Sequence, residues 1–203
     1  MEEVLITNNM AATLLQQVHR DMLKDAVPMI QALRKEKGDY ISEDDIRNQF
    51  HAAFDKHPHR NLEYAQECFN KTDVVIQEKD KSTGKASPVI LYELKTYFKE
   101  HEVLRNNIGE ILHDINKLYG RASESEAYFI LVCRKSQIDN CPDTEDFRFI
   151  KETGLGNNGL NKKYKIKYVF NEITITVKHR ELNEDFVILS WQVEKKPTPK
   201  KKK

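Results

Sequence analysis

The sequence predicts an α/β fold, a mixed central sheet flanked by helices, from three observations. Ala127 to Cys133 (AYFILVC) is an almost wholly apolar run of strand length, which reads as a central strand buried on both faces. Just before it lies the cleanest amphipathic helix in the chain, with Leu104, Ile108, Ile111, Leu112, Ile115, Leu118 and Tyr119 three and four apart and Gly120 as its stop. β-Branched and alternating segments stand on both sides of this pair, so helices and strands interleave as they do in layered α/β domains.

The elements follow in order. Leu14, Leu15, Val18 and Met22 recur at helical spacing, and Met29, Ile30 and Leu33 continue the face after Pro28, which is expected to open a second helix at its first turn. Residues 1–41 thus read as a helical extension that either covers the core or forms a dimer contact. Ser42 ahead of Glu43, Asp44 and Asp45 is an N-cap signal, and Ile46, Phe50, Ala53 and Phe54 share one face, giving a helix over about 43–55. His57, Pro58, His59 and Arg60 end it. Leu62 to Phe69 fits strand or helix. Val74, Val75 and Ile76 begin a strand near Asp73, the Ser-Thr-Gly segment turns, and Val89 to Tyr97 (VILYELKTY) returns, so 73–97 reads as an antiparallel hairpin with a long connection. After the helix and the apolar strand, 145–152 reads as a short helix, and 165–170, 173–178 and 186–193 as late antiparallel strands.

Composition sets limits. A chain of 203 residues and 23.8 kDa, 39% hydrophobic and 32% charged, fits one domain over 42–193 beside the extension. The apolar run is far short of the roughly 20 residues a bilayer span requires, and Glu2 and Glu3 stand where a secretory leader is basic, so a cytoplasmic protein is expected. Three cysteines without CxxC spacing argue against a zinc ribbon. The charge is uneven: residues 158–203 hold 12 Lys and Arg against 5 Asp and Glu, whereas 1–157 hold 21 against 27. Residues 194–203, closing on four lysines, read as a disordered basic tail able to pair with phosphates.

Alternation places Glu93 and Lys95 on one face of a strand, about 7 Å apart, with Leu94 on the other. Asp73 heads the neighbouring strand. Buried charges of this kind need partners or a metal, and a hard cation such as Mg2+ prefers carboxylate oxygens.

The segment T-D-V-V-I, followed twenty residues later by I-L-Y-E-L-K, resembles the PD-(D/E)xK nuclease superfamily, with its restriction-endonuclease-like αβββαβ core. The match covers roughly 42–135. The resemblance implies a Mg2+-dependent endonuclease, with Mn2+ as a substitute, acting on DNA. In that pattern Asp73 and Glu93 are metal ligands and Lys95 orients or activates the attacking water. A helix carboxylate often completes the site, Glu43 being the first choice, then Asp44, with Glu63 and Glu67 as alternatives. Thr72 stands where the family has proline. Cutting both strands favours a homodimer. The other expectation is an inactive module of the same fold that binds nucleic acid or protein.

Other features are weaker. His57 and His59 form an H-x-H loop without a second ligand pair, and His101 and His113 read as surface residues. Gly154, Gly156 and Gly159 lack a following Gly-Lys-Ser/Thr and read as a flexible turn. Lys163, Lys165 and Lys167 share a strand face, either a track for phosphates or the solvent side of a sheet. Trp191 reads as a packing residue.

Overall fold

The computed structural model describes residues 2–57, 61–66, 72–99, 103–122, 125–156 and 159–195, with side chains in the first helix from residue 13 onward. A seven-stranded mixed sheet of order β1-β2-β3-β4-β7-β6-β5 carries helices on both faces. The chain runs α1 (Glu2–Lys37), α2 (Glu43–Asp55), β1 (Leu62–Gln66), β2 (Val74–Lys79), β3 (Ala86–Tyr97), α3 (Ile108–Arg121), β4 (Glu126–Arg134), α4 (Lys135–Asp139), α5 (Arg148–Leu155), β5 (Lys163–Tyr168), β6 (Asn171–Leu182) and β7 (Phe186–Val193). Only β3 and β4 are parallel neighbours, because α3 carries the chain back between them. All other pairs are antiparallel.

Strand alternation sorts the core into two layers. Ile90, Tyr92 and Leu94 of β3 and Tyr128, Ile130 and Val132 of β4 face α1 and α2, burying Val18, Met22, Leu23, Ile30, Ile46 and Phe50 against them. Leu91 and Tyr97, with Ala127, Phe129, Leu131 and Cys133, face α3 and α5. The predicted central strand is β4, buried along nearly its whole length. Trp191 is core, as expected, its indole N–H donating to Thr153 Oγ1 at 3.2 Å.

The structure corrects several boundaries. Pro28 opens no second helix: α1 runs straight through it. Pro28 and Lys24, whose carbonyl loses its helical donor, both lie on the exposed side, while Ala26 and Ile30 are buried. Packing of that inner face outweighs the lost hydrogen bond. The described part of α1 therefore covers the core. Leu62 to Gln66 resolves as strand, and residues 67–70 lie outside the described set. Leu104 to Asn106 form a separate 3-10 turn before α3. The strand expected over 165–170 ends at Tyr168, and α4 was not anticipated. Glu194, expected in the disordered tail, is instead fixed to the sheet through its N–H to the Thr174 carbonyl, 2.9 Å, and through Lys163; residues 196–203 lie outside the described set. Among the described residues no helix is long and apolar enough to cross a membrane.

The Ser42 cap is as predicted. Its hydroxyl accepts from the Asp45 N–H at 3.2 Å and Asp45 returns a bond to the Ser42 N–H, a reciprocal capping box. This fixes where α2 begins, and so where Glu43 points.

His19 of α1 is buried against the sheet, stacked on Tyr128 with centroids 3.8 Å apart and within 3.3 Å of the Tyr92 and Ser190 hydroxyls. Burial, with smaller repulsions from His179, Lys178 and Arg20, pushes its pKa down to about 3. An unfolded chain takes up this proton first as pH falls below about 6.5, so the native state loses stability over that window. Denaturant midpoints should therefore show the gap between wild type and His19→Gln narrowing from pH 7 to pH 4; parallel profiles would contradict a neutral buried His19.

Candidate functional site

Glu93 and Lys95 lie on the α3 face of β3, with Leu94 pointing into the opposite layer, as alternation requires. The register Val74↔Tyr92 brings Asp73 alongside Glu93, and Asp73 Oδ2 accepts the Leu94 N–H at 2.8 Å. These three expected residues are thus brought together. Glu43, on the first turn of α2, also arrives: its Oε2 is 3.9 Å from Lys95 Nζ.

The other helix carboxylates do not join them. Asp44 is 76% exposed on its side chain and pairs with Arg47. Glu63 sits on the edge strand and pairs with Lys79 at 3.2 Å, turned to solvent. Glu67 lies outside the described residues.

Three residues of α3 that sequence reasoning missed complete the cluster. Asp114 Oδ2 is 3.1 Å from Lys95 Nζ, Lys117 Nζ is 2.5 Å from Glu93 Oε1, and Arg121 Nη1 is 3.6 Å from the same oxygen. Arg121 also donates to the buried Thr72 hydroxyl at 2.9 Å. Thr72, in place of the resembled proline, thereby supplies an acceptor. The signal was the spacing 114, 117, 121, a polar stripe beside the apolar one on the same helix.

The electrostatics follow from burial. Glu93 is 2% exposed on its side chain, and desolvation, reinforced by Asp73 and opposed by Lys117, pushes its pKa up to about 8. Glu43 is pushed up to about 7 by burial, with Lys95 opposing and Asp73 and Asp114 adding. For Lys95 burial works downward, but the Asp114 and Glu43 carboxylates outweigh it and raise the pKa, so the ammonium keeps its charge. Beside this cluster a cleft of about 460 Å³ opens between the start of α2 and the start of α3, lined by Glu43, Arg47, Lys95, Lys99 and Glu110 among others.

The donor chemistry suits a hard cation, because Asp73, Glu93 and Glu43 present only oxygens. Burial, and to a smaller degree the charge of Asp73, raises both glutamates, and a divalent charge would favour their ionised forms. Among the described residues, however, no three His, Cys, Asp or Glu side chains stand close enough together to hold a metal ion as placed.

Elsewhere, His57 bonds Asp25 at 2.8 Å, and His59 and His101 lie outside the described residues. Gly154 is not in a flexible turn: it is buried in α5, where a Cβ would meet Ile138 at 2.9 Å, so only glycine lets α5 approach α4. Lys163 and Lys165 face solvent and pair with Glu194 and Glu172. No family model matches the sequence, and no curated protein or solved structure matches it either.

A glutamate whose folded pKa is raised makes the native state lose stability as pH climbs through that value. Thermal melts should show Glu93→Gln gaining on wild type from pH 5 to pH 9; an unchanged difference across that range would mean Glu93 ionises freely.

Proposed function

We propose that the chain is a metal-dependent DNA endonuclease of the PD-(D/E)xK kind. One observation carries the reading: Glu93 and Lys95 share a buried strand face, with Asp73 beside them and Glu43 and Asp114 within reach of the lysine. The succession α2-β1-β2-β3-α3-β4 supports it, because it is the helix and strand order that the resemblance implies. Crowded carboxylates beside a retained ammonium suit phosphodiester hydrolysis, in which charge builds on the phosphate oxygens.

Asp73, Glu93 and Glu43 are the residues that would hold Mg2+ or Mn2+, which would supply charge neutralisation and lower the pKa of the attacking water. Lys95, kept protonated by Asp114 and Glu43, directs N–H groups and positive charge at the attacking oxygen and the phosphate. Lys117 and Arg121 orient Glu93.

A second reading, an inactive module that binds nucleic acid or protein, draws on the 2.5 Å Lys117–Glu93 contact, in which an ammonium occupies a carboxylate oxygen wanted for metal. Purified protein, supercoiled plasmid and Mg2+ or Mn2+ separate the two. Nuclease activity predicts cutting that chelator abolishes and that Lys95→Ala lowers by at least about a hundredfold, the scale of a lost general acid–base or charge-stabilising group. Asp73→Ala should remove the thermal stabilisation conferred by the metal. Neither cutting nor a metal-dependent melt would favour the binding module.

A further inference from the structure

The β5–β6 connection breaks the rule for its turn. Tyr168 pairs with Asn171, so Val169 and Phe170 alone form the loop, and Val169 has a φ of 52°. A two-residue hairpin loop with a positive φ at its first position favours glycine there, and a β-branched residue in that conformation is strained. Burial gives nothing back, since Val169 is 76% and Phe170 99% exposed.

The tip is nonetheless held in place. The Tyr168 hydroxyl is 3.5 Å from His113 Nδ1, and the Asn171 amide donates to Asn116 Oδ1 at 2.7 Å. His113 and Asn116 each stand one residue before a site residue, Asp114 and Lys117. The hairpin is therefore fixed to the next flank of the helix that lines the candidate site, within about a helix diameter, ~10 Å. Behind the tip, Lys163, Lys165 and Lys167 are exposed on the face of β5 opposite Tyr164 and Ile166, the first two in solvent-exposed ion pairs with Glu194 and Glu172 of the kind that contribute little. Residues 163–182 hold five Lys and Arg against two Glu.

A strained, anchored, solvent-facing apolar tip on a basic hairpin matches a ligand that offers phosphates next to stacked apolar planes. We propose that Val169 and Phe170 form a wedge for duplex DNA, entering at a base step while the β5 lysines face the backbone. Apolar side chains that part base steps work in this way, and local rules are broken most often where function demands it. A second copy of the chain would satisfy the apolar tip and leave the excess positive charge of residues 163–182 uncompensated. The inference rests on the reading that DNA is the ligand of the site.

The test is the double variant Val169→Gly/Phe170→Ser, which gives the turn the residues it favours and removes the wedge. Full-length wild type and variant are titrated, in chelator, into a DNA duplex carrying 2-aminopurine. Wild type should bind and raise the 2-aminopurine fluorescence as the base unstacks. The variant should bind at least about five-fold more weakly, the low end for a lost stacking contact, without the fluorescence rise, and should melt at the same temperature or higher. Equal affinity, a lower melting temperature in the variant, no duplex binding by wild type, or a wild-type dimer that the variant loses would each overturn the wedge. Cleavage in Mg2+ is read separately. Cutting that ignores the double substitution overturns the wedge and leaves the nuclease, whereas wedge-dependent binding without cutting does the reverse.

Discussion

A carboxylate in the middle of a sheet governs this structure. Glu93 is 2% exposed on its side chain in β3, between neighbours β2 and β4, where an unpaired negative charge is too costly to keep. Its environment meets that cost in two ways. Lys117 and Arg121 bring positive charge from α3, and burial raises the pKa to about 8, which eases the group toward its neutral form. α3 is consequently split into an apolar stripe over the sheet and a polar one over Glu93 and Lys95. Such an arrangement stabilises the fold weakly at best, because replacing buried charge by apolar groups is often neutral or favourable.

Register and capping place the remaining groups. The antiparallel β2–β3 pairing brings Asp73 to Glu93, and the parallel β3–β4 step forces a crossover, which lays α3 across the charged face. The Ser42–Asp45 box sets the first turn of α2 so that Glu43 reaches Lys95 from the edge of the sheet. α2, β3 and α3 thus converge on Asp73, which stands immediately before β2. Rigid placement of this sort suits phosphoryl chemistry, which depends mainly on positioning and charge.

Much of this was legible in the sequence because strands repeat every two residues. Glu93 and Lys95 on one face, Leu94 on the other, and Asp73 at the head of the partner strand all follow from that period. The N-cap at Ser42 was legible for the same local reason. Asp114, Lys117 and Arg121 were not, because an amphipathic helix read for its apolar face treats its polar residues as solvated. Pro28 misled because propensity is local, whereas the inner face of α1 is held by Val18, Met22, Ala26 and Ile30. Val169 and Phe170 read as strand because nothing in them announces a turn; the turn is imposed by the pairing of β5 with β6.

The proposed function requires the Asp73, Glu93 and Glu43 carboxylates to serve as one cation site beside Lys95. Titration of isotopically labelled protein with substoichiometric Mn2+ tests it most directly, through paramagnetic broadening of amide signals. Signals around Asp73, Leu94 and Glu43 should be lost selectively and return with excess Mg2+. Broadening confined to surface carboxylates such as Asp80 or Glu172, or none at all, would contradict it.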